Sequence, residues 1–458
     1  MKGYTIIMAE KRIFYSVLIT SFFGPFMASS VNVAIPSMAL EYHLLAEDLT
    51  WVLTLFLLGA VSFLIPWGKY ADIKGRRKIY QYGCTGVIIT TLACIFAPSL
   101  QFLLFLRFSQ GVCMAMNFST GIAMLIACYP KARRGRVIGY SASCVYMGLS
   151  LGPVIGGALT EFLGWRSIFF FTAIGLIFSL SLLISVHKDW FGDKNDKFDI
   201  VSAALYAISS SSILYGLSSY LHHPIMKWLI LCGIIVGIIF IQRQRIIDHP
   251  LLDLSLFKNT IFAMSNLATL INYSATFGIA FVMSLYLQVI RGFAPLNAGM
   301  LLLLQPVMMA ILSPLAGALS DKYEPRIIAS GGMSITAVGL FLLSRLTAFS
   351  SLYYIGSVLL FIGIGFALFS SPNNNAIMGS VEKKYYGIAS SIVSAMRMFG
   401  QATSMAIVTL LLSMYTVNSP YVQYHSNLLT GIKMIFFVLA LTCCLGIFCS
   451  LARGKKNK

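Results

Sequence analysis

Charge is scarce in this sequence. Only 10% of its 458 residues are Asp, Glu, Lys or Arg, whereas soluble domains contain about 25%. Apolar runs of about 20 residues, long enough to cross a hydrocarbon core of roughly 30 Å, recur along the whole chain, and the mean hydropathy is +0.83. These features exclude an ordinary soluble fold, and we predict an all-α polytopic membrane protein.

Carboxylates are the scarcer charge, with 15 acidic against 33 basic residues. Every acidic residue lies in a predicted loop or at a predicted helix end, and the charged residues deep within helices are Arg107 and Arg397. A positive interior without acids favours neutral or anionic solutes. The net charge of +18 does not predict nucleic-acid binding, because the basic residues cluster between apolar runs, as they do in cytoplasmic loops.

Catalytic motifs are missing as well. The sequence contains no G-x-x-x-x-G-K-[ST], no H-E-x-x-H and no nucleophile elbow, so we expect neither an ATPase nor another enzyme, and no cofactor. Its nine cysteines include no C-x-x-C pair. We interpret them as small buried apolar residues, with no disulfide framework and no metal site.

Hydropathy predicts fourteen transmembrane helices. We expect an N-terminal bundle of six helices over 13–186, a linker with two inserted helices over 187–259, and a C-terminal bundle of six helices over 260–452. The predicted helices cover residues 13–38, 50–70, 78–97, 101–128, 137–159, 165–186, 199–220, 226–242, 260–290, 296–319, 327–347, 352–378, 386–414 and 430–452.

The basic residues predict the orientation of these helices. An even number of helices places both termini on one side of the membrane, and most of the 33 Lys and Arg residues lie in loops on that side. Cytoplasmic loops retain such residues, so we expect a cell-membrane protein with both termini in the cytoplasm. The apolar run from Ile13 to about Met38 is too long for a cleaved signal peptide and predicts a retained first helix, with Met1 or Met8 as the start.

A charged tract between helices two and three has a weak echo later in the chain. GKYADIKGRR begins at Gly68, and GALSDKYEPR, from Gly317 to Arg326, follows helix ten with the same order of Gly, Asp and basic residues. Parallel half-repeats with a site between them near the midplane are a known transporter design. An echo this short also arises by chance.

The first tract resembles the loop signature G-x-x-x-D-x-x-G-R-R of the major facilitator superfamily. Gly68, Asp72, Gly75, Arg76 and Arg77 occupy its positions. The resemblance implies that this loop latches the cytoplasmic ends of the two bundles during alternating access, with Asp72 as the latch acid. Topology anchoring alone is the simpler alternative.

A stretch of helix five resembles the antiporter motif of the superfamily's drug-exporting branches. Glycines four residues apart allow close helix packing, and a proline bends a helix and frees a backbone carbonyl. The resemblance implies a kinked fifth helix where the bundles meet, and simple helix packing is the alternative. The motif residues are Gly139, Gly148, Gly152, Pro153, Gly156 and Gly157.

Further segments resemble the fourteen-helix drug:proton antiporters of this superfamily. LRFSQG (106–111) places Arg107 inside helix four, and the family links this Arg to proton coupling; bonding to backbone carbonyls is its alternative role. VNVAIP (31–36) and GIASSIVSAMRMFGQ (387–401) are similar to the first and thirteenth helices of that branch. The resemblance covers almost the whole chain.

One position departs from that branch. Its members usually carry an acid five residues before the Asn of the first-helix motif, where this chain has Met27. Asp72 and Glu161 remain as acids that could handle a proton. The candidate coupling or cavity charges are Arg107, Glu161 and Arg397, and helix-to-helix hydrogen bonding is the alternative role of both arginines.

Polar and aromatic side chains within the helices predict an amphipathic substrate cavity. Buried amides have the alternative role of joining helices, and aromatic or Met side chains that of packing or facing lipid. The principal cavity candidates are Asn32, Asn117, Tyr146, Asn272, Tyr273, Gln305, Asn373 and Asn374. Further candidates are Phe26, Met147, Asn266, Phe277, Phe369 and Asn375.

We therefore predict export of a small amphipathic compound by proton antiport and alternating access, with lipid and protons as the other partners. One alternative is an exporter of a neutral or anionic metabolite or lipid-like solute without proton coupling. A further alternative is a non-transporting membrane sensor with the same fold.

Overall fold

The structure is a computed structural model that describes residues 2–42, 46–129, 131–186, 188–191, 197–219, 225–381, 386–416 and 424–454. Nearly all of the described residues are α-helical, and they form fourteen long helices. The predicted all-α fold is therefore confirmed.

The first eight long helices are continuous. Prolines lie inside three of them, at Pro25 and Pro36, Pro66 and Pro153. These helices are α1 (Lys2–Tyr42), α2 (Ala46–Lys74), α3 (Arg76–Ile95), α4 (Leu100–Cys128), α5 (Lys131–Leu163), α6 (Arg166–Ile184), α7 (Ile200–Ser219) and α8 (Met226–Ile246).

Two of the last six long helices are interrupted. The ninth consists of α9 (Thr260–Thr276), α10 (Ile279–Leu285) and a π-helical turn, Tyr286–Ile290; the tenth consists of α11 (Pro295–Leu302) and α12 (Leu304–Lys322). The remaining helices are α13 (Pro325–Leu343), α14 (Leu352–Gly379), α15 (Tyr386–Thr416) and α16 (Tyr424–Ala452), and a 3₁₀ turn, Leu254–Lys258, precedes α9.

Several helices are longer than predicted. α1 begins at Lys2 rather than at residue 13, and α5 covers residues 131–163 rather than 137–159. Hydropathy marks only the part of a helix that lies in hydrocarbon, so it misses charged turns such as Lys131 to Arg136, which continue the helix beyond that part.

Twelve of the long helices are sufficiently long and apolar in their described residues to cross a membrane. The other two are α3, which begins with three basic residues, and α4, which contains Arg107, Gln110 and Asn117. These three α4 side chains are buried within the protein, which explains how the helix can be polar. Length, apolar character and number of helices make the chain a multi-pass membrane protein.

The helices pack in two sets. α1 to α6 pack on one another, as do α9 to α16, and α2 and α5 contact the second set through α15 and α11. We call these sets the N-terminal group and the C-terminal group. The ends of the helices beside Gly75 are called the loop end, and those beside Glu161 the far end.

The inserted helices α7 and α8 pair with each other and lie against α2 and α15. The Tyr206 hydroxyl donates to the carbonyl of Val61 at 3.1 Å, and its ring meets Phe399 edge-on. At the loop end, Asp199 pairs with Arg243 at 2.8 Å, and this guanidinium lowers the pKa of Asp199 to about 2. The pair α7–α8 thus contacts both groups.

All nine cysteines are free. Cys84, Cys94, Cys128 and Cys443 are buried, as predicted, but Cys232 is exposed on α8. The prediction of burial was wrong for Cys232 because an apolar residue in a membrane helix can also face lipid.

Candidate functional site

The loop between α2 and α3 depends on Gly75. Its φ is 111°, in the left-handed region that favours glycine. A Cβ on Gly75 would lie only 2.4 Å from Oδ2 of Asp189, a residue that follows α6. Glycine therefore permits both the turn and the close approach of this carboxylate.

Asp189 caps the beginning of α3. Its carboxylate accepts hydrogen bonds from the backbone N–H groups of Arg77 at 2.9 Å and Lys78 at 3.3 Å. Free N–H groups and the helix dipole favour a negative charge at this position. Sequence reasoning missed Asp189, because nothing local distinguishes it from the other acids of the linker.

Two further contacts fasten the same loop. The N–H of Arg76 donates to the carbonyl of Trp190 at 2.8 Å, and the Arg77 guanidinium donates to the carbonyl of Val186. Both signature arginines therefore hold the loop to the chain that follows α6, within the N-terminal group.

The proposed latch residues Asp72 and Gly68 also contact their own group. Asp72 pairs with Arg76 one helical turn away, with 2.7 Å between Oδ1 and Nε. A Cβ on Gly68 would meet Ser119 of α4 at an ordinary 3.5 Å. Among the described contacts neither residue touches the C-terminal group, so the predicted latch between bundles stays a prediction.

The antiporter-motif glycines fit α5 tightly against α1. A Cβ would lie 2.3 Å from the carbonyl oxygen of Phe22 at Gly148, 2.7 Å from Ser29 at Gly152, and 2.5 Å from Ser30 at Gly156. Any side chain at these positions would push the helices apart. Gly139 lies in α5 as well, but its surroundings are outside the described part of the structure.

Pro153 leaves one backbone carbonyl of α5 without its helical hydrogen-bond donor, and a side chain of α1 supplies a replacement donor. Proline has no N–H, so the carbonyl four residues earlier, on Leu149, is free. The Ser29 hydroxyl donates to this carbonyl at 3.1 Å, and the Ser30 hydroxyl donates to that of Gly152 at 2.9 Å. The motif proline is thus accommodated by serines of the neighbouring helix.

At the far end the motif helix meets the C-terminal group. A Cβ on Gly157 would lie 2.7 Å from the carbonyl oxygen of Pro295, and one on Gly299 would lie 2.1 Å from that of Pro153. Glu161 accepts a hydrogen bond from the N–H of Leu296 at 3.2 Å, at the beginning of α11. The two groups are therefore in backbone contact at this end.

Arg107 is fully buried within the N-terminal group, and none of the contacts described for it is with an acid. Its Nε donates to the carbonyl of Val52 at 3.0 Å, one Nη donates to Gln110, and the guanidinium lies 4.7 Å from the centre of the Phe56 ring. The same Nη is 3.9 Å from the sulfur of Met27. Met27, where the related branch carries an acid, thus lies against the arginine, whose other Nη has no partner among the described residues.

A central cluster joins the groups near the middle of their helices. The hydroxyls of Tyr146 on α5 and Ser370 on α14 are 3.3 Å apart. Tyr273 on α9 lies beside Ser370 and the guanidinium of Arg397 on α15, and its ring packs edge-on against Phe366 at 5.4 Å. We call Tyr146, Tyr273, Ser370 and Arg397 the central cluster.

Some amide candidates join helices by hydrogen bonds, whereas others are buried with unpaired polar atoms. Asn117 accepts from the thiol of Cys84, and Asn373 donates to the carbonyl of Ser265 and the hydroxyl of Thr269, so both join helices. Asn272 is fully buried, and neither of its amide atoms has a partner among the described residues; the carbonyl oxygen of Asn32 is also unpaired.

The other candidates are less informative. Asn374 is exposed and Gln305 is half-buried, whereas Asn375 donates to the hydroxyl of Ser320 at 3.0 Å. Asn266 donates to the carbonyl of Phe262. Among the apolar candidates Phe26 and Phe369 are buried, Phe277 is half-buried and Met147 is exposed.

Arg453 is a second residue that sequence reasoning missed. It follows α16 and is 2% exposed. Its guanidinium donates to Ser265 at 3.1 Å, to the side-chain oxygen of Asn373 at 2.8 Å and to the carbonyl of Pro325 at 3.1 Å. A cavity of about 30 Å³, enough for a water molecule, lies beside it and is also lined by Glu324.

Comparison with known proteins identifies the relatives of this architecture. Residues 17–266 and 265–457 match the family model described as Major Facilitator Superfamily. The riboflavin transporter RibZ of Clostridioides difficile (strain 630) is 27% identical over 437 residues, which cover 94% of this chain and 95% of the relative.

Two other relatives are named for resistance. The multidrug resistance protein Stp of Mycobacterium tuberculosis (strain ATCC 25618 / H37Rv) is 28% identical, with 85% of this chain and 74% of the relative covered. The lincomycin resistance protein LmrB of Listeria monocytogenes serovar 1/2a (strain ATCC BAA-679 / EGD-e) is 26% identical, with 95% of each covered.

Solved structures share the fold at low identity. A bacterial homolog of the human lysosomal transporter Spinster, in an inward-facing and unoccupied conformation, matches with a TM-score of 0.70 at 15% identity over 97% of each chain.

Proposed function

The chain belongs to the Major Facilitator Superfamily, and from that premise we propose that it exports an amphipathic small molecule by alternating access. The moving bodies are the predicted bundles over 13–186 and 260–452, joined by the linker over 187–259. The relatives named for riboflavin, multidrug and lincomycin handling support a small organic cargo.

The close contact between the two groups at the far end and at the centre carries this proposal. At the far end Gly157 and Gly299 bring α5 and α11 into backbone contact, and at the centre Tyr146 meets Ser370. At the loop end the contacts described for Gly68 and Asp72 are with Ser119 and Arg76 of their own group. Contact of this kind fits a state closed at the far end, whose partner state is closed at the loop end.

The direction of transport follows from the proposed orientation. Basic residues are concentrated at the loop end, which we place in the cytoplasm of a cell-membrane protein with both termini inside. The cargo then enters the central cluster from the cytoplasm and leaves after the far end opens. Asp72 and its neighbouring signature residues would close the loop end in that second state.

We propose that this export does not use a carboxylate of the N-terminal group as a proton carrier. Proton exchange inside a membrane relies on a buried acid, and the sulfur of Met27 lies beside Arg107 instead. Drug:proton antiport by the fourteen-helix branch is the second candidate, favoured by the two relatives named for resistance. Glu161, which contacts α11 across the groups, would then be the titrating acid.

Transport into everted membrane vesicles tests this function. Riboflavin, lincomycin and ethidium are the probes, and a pH-sensitive dye reports proton release. We expect saturable uptake of at least one probe. A proton release that accompanies it would favour the second candidate.

Two matched glycine variants control the experiment. In Gly299→Leu the new side chain would meet the Pro153 carbonyl, and uptake should be lost. Gly331 is exposed, with no atom within 4 Å of its Cβ position, so uptake should persist in Gly331→Leu. Membrane insertion of both is measured in parallel. If no probe is taken up by the unaltered protein above the level of Gly299→Leu, the transport function is wrong and the non-transporting sensor is favoured.

A further inference from the structure

The central cluster contains a cation without a matching anion. Arg397 is half-buried near the middle of α15, and its Nε has no hydrogen-bond partner among the described residues. A guanidinium in the centre of a membrane protein is costly unless it is paired or faces a polar cavity. Because the Nε is itself buried, a partner from outside the chain would reach the remaining, half-buried part of this side chain.

No carboxylate in the described structure fills this role. Ion pairs between described residues include those of Arg76, Arg166, Arg243 and Arg326, all toward helix ends. The described neighbour of Arg397 is the hydroxyl of Tyr273, which also lies beside Ser370, and the Ser370 hydroxyl is 3.3 Å from that of Tyr146. The described contact of Arg397 is thus with a neutral hydroxyl, and a hydroxyl can donate a hydrogen bond to an anion.

The other deep arginine differs in accessibility. Arg107 is 0% exposed inside the N-terminal group, with Val52, Gln110 and the Phe56 ring around its guanidinium. Arg397 instead lies where the two groups meet, next to a hydrogen bond between them. Of these two cations, Arg397 is the one placed to meet a cargo.

We infer that the cargo carries a carboxylate or another oxyanion, which the guanidinium of Arg397 binds while the Tyr273 and Ser370 hydroxyls donate to it. Guanidinium–carboxylate pairs are short, bidentate and about twice as strong as neutral hydrogen bonds. The half-buried rings of Tyr146 and Tyr273 provide aromatic surface for an apolar body. This inference rests on the proposed transport function and specifies the charge of its substrate.

Three probes with one aromatic body and different charge test the inference. 1-Pyrenebutanoate is an anion, its methyl ester is neutral, and 4-(1-pyrenyl)butyltrimethylammonium is a cation. Binding to the purified full-length protein is followed by pyrene fluorescence, and uptake is followed in proteoliposomes. We expect the anion to bind about tenfold more tightly than the ester, as one charge-assisted pair provides, and the cation to bind least.

Variants of Arg397 identify the source of the preference. Arg397→Gln should bring the anion and the ester to within about twofold of each other, and Arg397→Lys, which keeps the charge but not the bidentate geometry, should be intermediate. Arg345→Gln, at an exposed arginine that follows α13 at the far end, should leave the preference for the anion unchanged.

The outcomes separate this inference from the transport function. Equal or tighter binding of the ester or the cation overturns the inference, as does a preference for the anion that survives in Arg397→Gln or a failure of the anion to bind. If protein-dependent entry of the ester, measured above entry into protein-free liposomes, equals that of the anion, the inference fails but the transport function stands. If no probe and no compound of the vesicle panel is transported, the transport function fails.

Discussion

The two groups fasten the same kind of junction with opposite charges. In the N-terminal group the carboxylate of Asp189, after the sixth helix, accepts hydrogen bonds from backbone N–H groups at the beginning of α3. In the C-terminal group the guanidinium of Arg453, after the last helix, donates to the carbonyl of Pro325 at the beginning of α13. An equivalent connection can thus be made through the donors or through the acceptors of the backbone.

The residues of the two loops differ in a complementary way. In the sequence echo Gly75 of the first tract corresponds to Glu324 of the second. The first loop has no side chain where the external carboxylate approaches, whereas the second loop carries an acid near the external cation. The acid thus lies after the sixth helix in the N-terminal group and in the loop itself in the C-terminal group.

A second correspondence supports the echo as a structural repeat. A Cβ on Gly68 would meet Ser119 of α4, and one on Gly317 would meet Ser371 of α14. Each glycine therefore faces a serine on the fourth helix of its own group. The shared spacing of Gly and Asp in the two tracts could not by itself establish a repeat, whereas the matching glycine–serine contacts support one.

Burial distinguishes the two junctions energetically. Asp189 is half-buried, so water can replace the bonds that it makes, whereas Arg453 is 2% exposed and bonds to three neighbouring helices. Burial lowers the pKa of Arg453 to about 10, which leaves it charged at neutral pH. We expect the buried junction to be the more costly one to break.

The largest effect is expected from Arg453→Ala. It would leave the side-chain oxygen of Asn373 and the carbonyl of Pro325 without this donor in a buried place, at a cost of about 3 kcal/mol of unfolding free energy. The apparent melting temperature of the purified protein should fall clearly. Arg245→Ala, at an exposed arginine of the same end, is the matched control. An unchanged melting temperature in Arg453→Ala would show that the buried Arg453 junction does not stabilise the protein more than the half-buried Asp189 junction.

A smaller effect is expected from Gly75→Ala. The left-handed backbone and the approach of Asp189 together should cost about 2 kcal/mol. Because the carboxylate accounts for part of this cost, Gly75→Ala should be less damaging when Asp189 is replaced by Gly, with a coupling of about 1 kcal/mol. Thermal melting of the two single variants and the double variant measures this coupling. Strict additivity would mean that Asp189 does not require a glycine.

Much of the fold was predictable, because hydropathy and helix length are local properties of a membrane chain. The contacts of Gly148, Gly152 and Gly156 were also predictable in kind, since four-residue spacing places small residues on one helix face. The sequence itself shows Met27 where the related branch has an acid, but the approach of its sulfur to Arg107 was not predicted. Local properties were enough for the helices and for the glycine face of α5.

Asp189 and Arg453 could not be predicted by the same means. Asp189 lies more than 100 residues from the loop that it caps, and Arg453 bonds to Ser265, which is 188 residues away. In the sequence both residues belong to charged helix ends, where the simplest interpretation is a topology anchor. Only the packing of distant helices assigns them a partner.

The smallest effect on stability is expected from Gly68→Ala, and it separates the two states of the cycle. In this structure the added methyl group would meet Ser119 at 3.5 Å, an ordinary contact, so the melting temperature should stay within about a degree of the unaltered protein. If the loop end closes on the C-terminal group in the other state, the methyl group would obstruct that closure, and uptake into everted vesicles should fall severalfold. Gly317→Ala, where the corresponding Cβ would lie 2.9 Å from the Ser371 hydroxyl oxygen, should lower both stability and uptake. Normal uptake in Gly68→Ala would show that the first loop does not close tightly, and the two tracts would then differ in function as well as in charge.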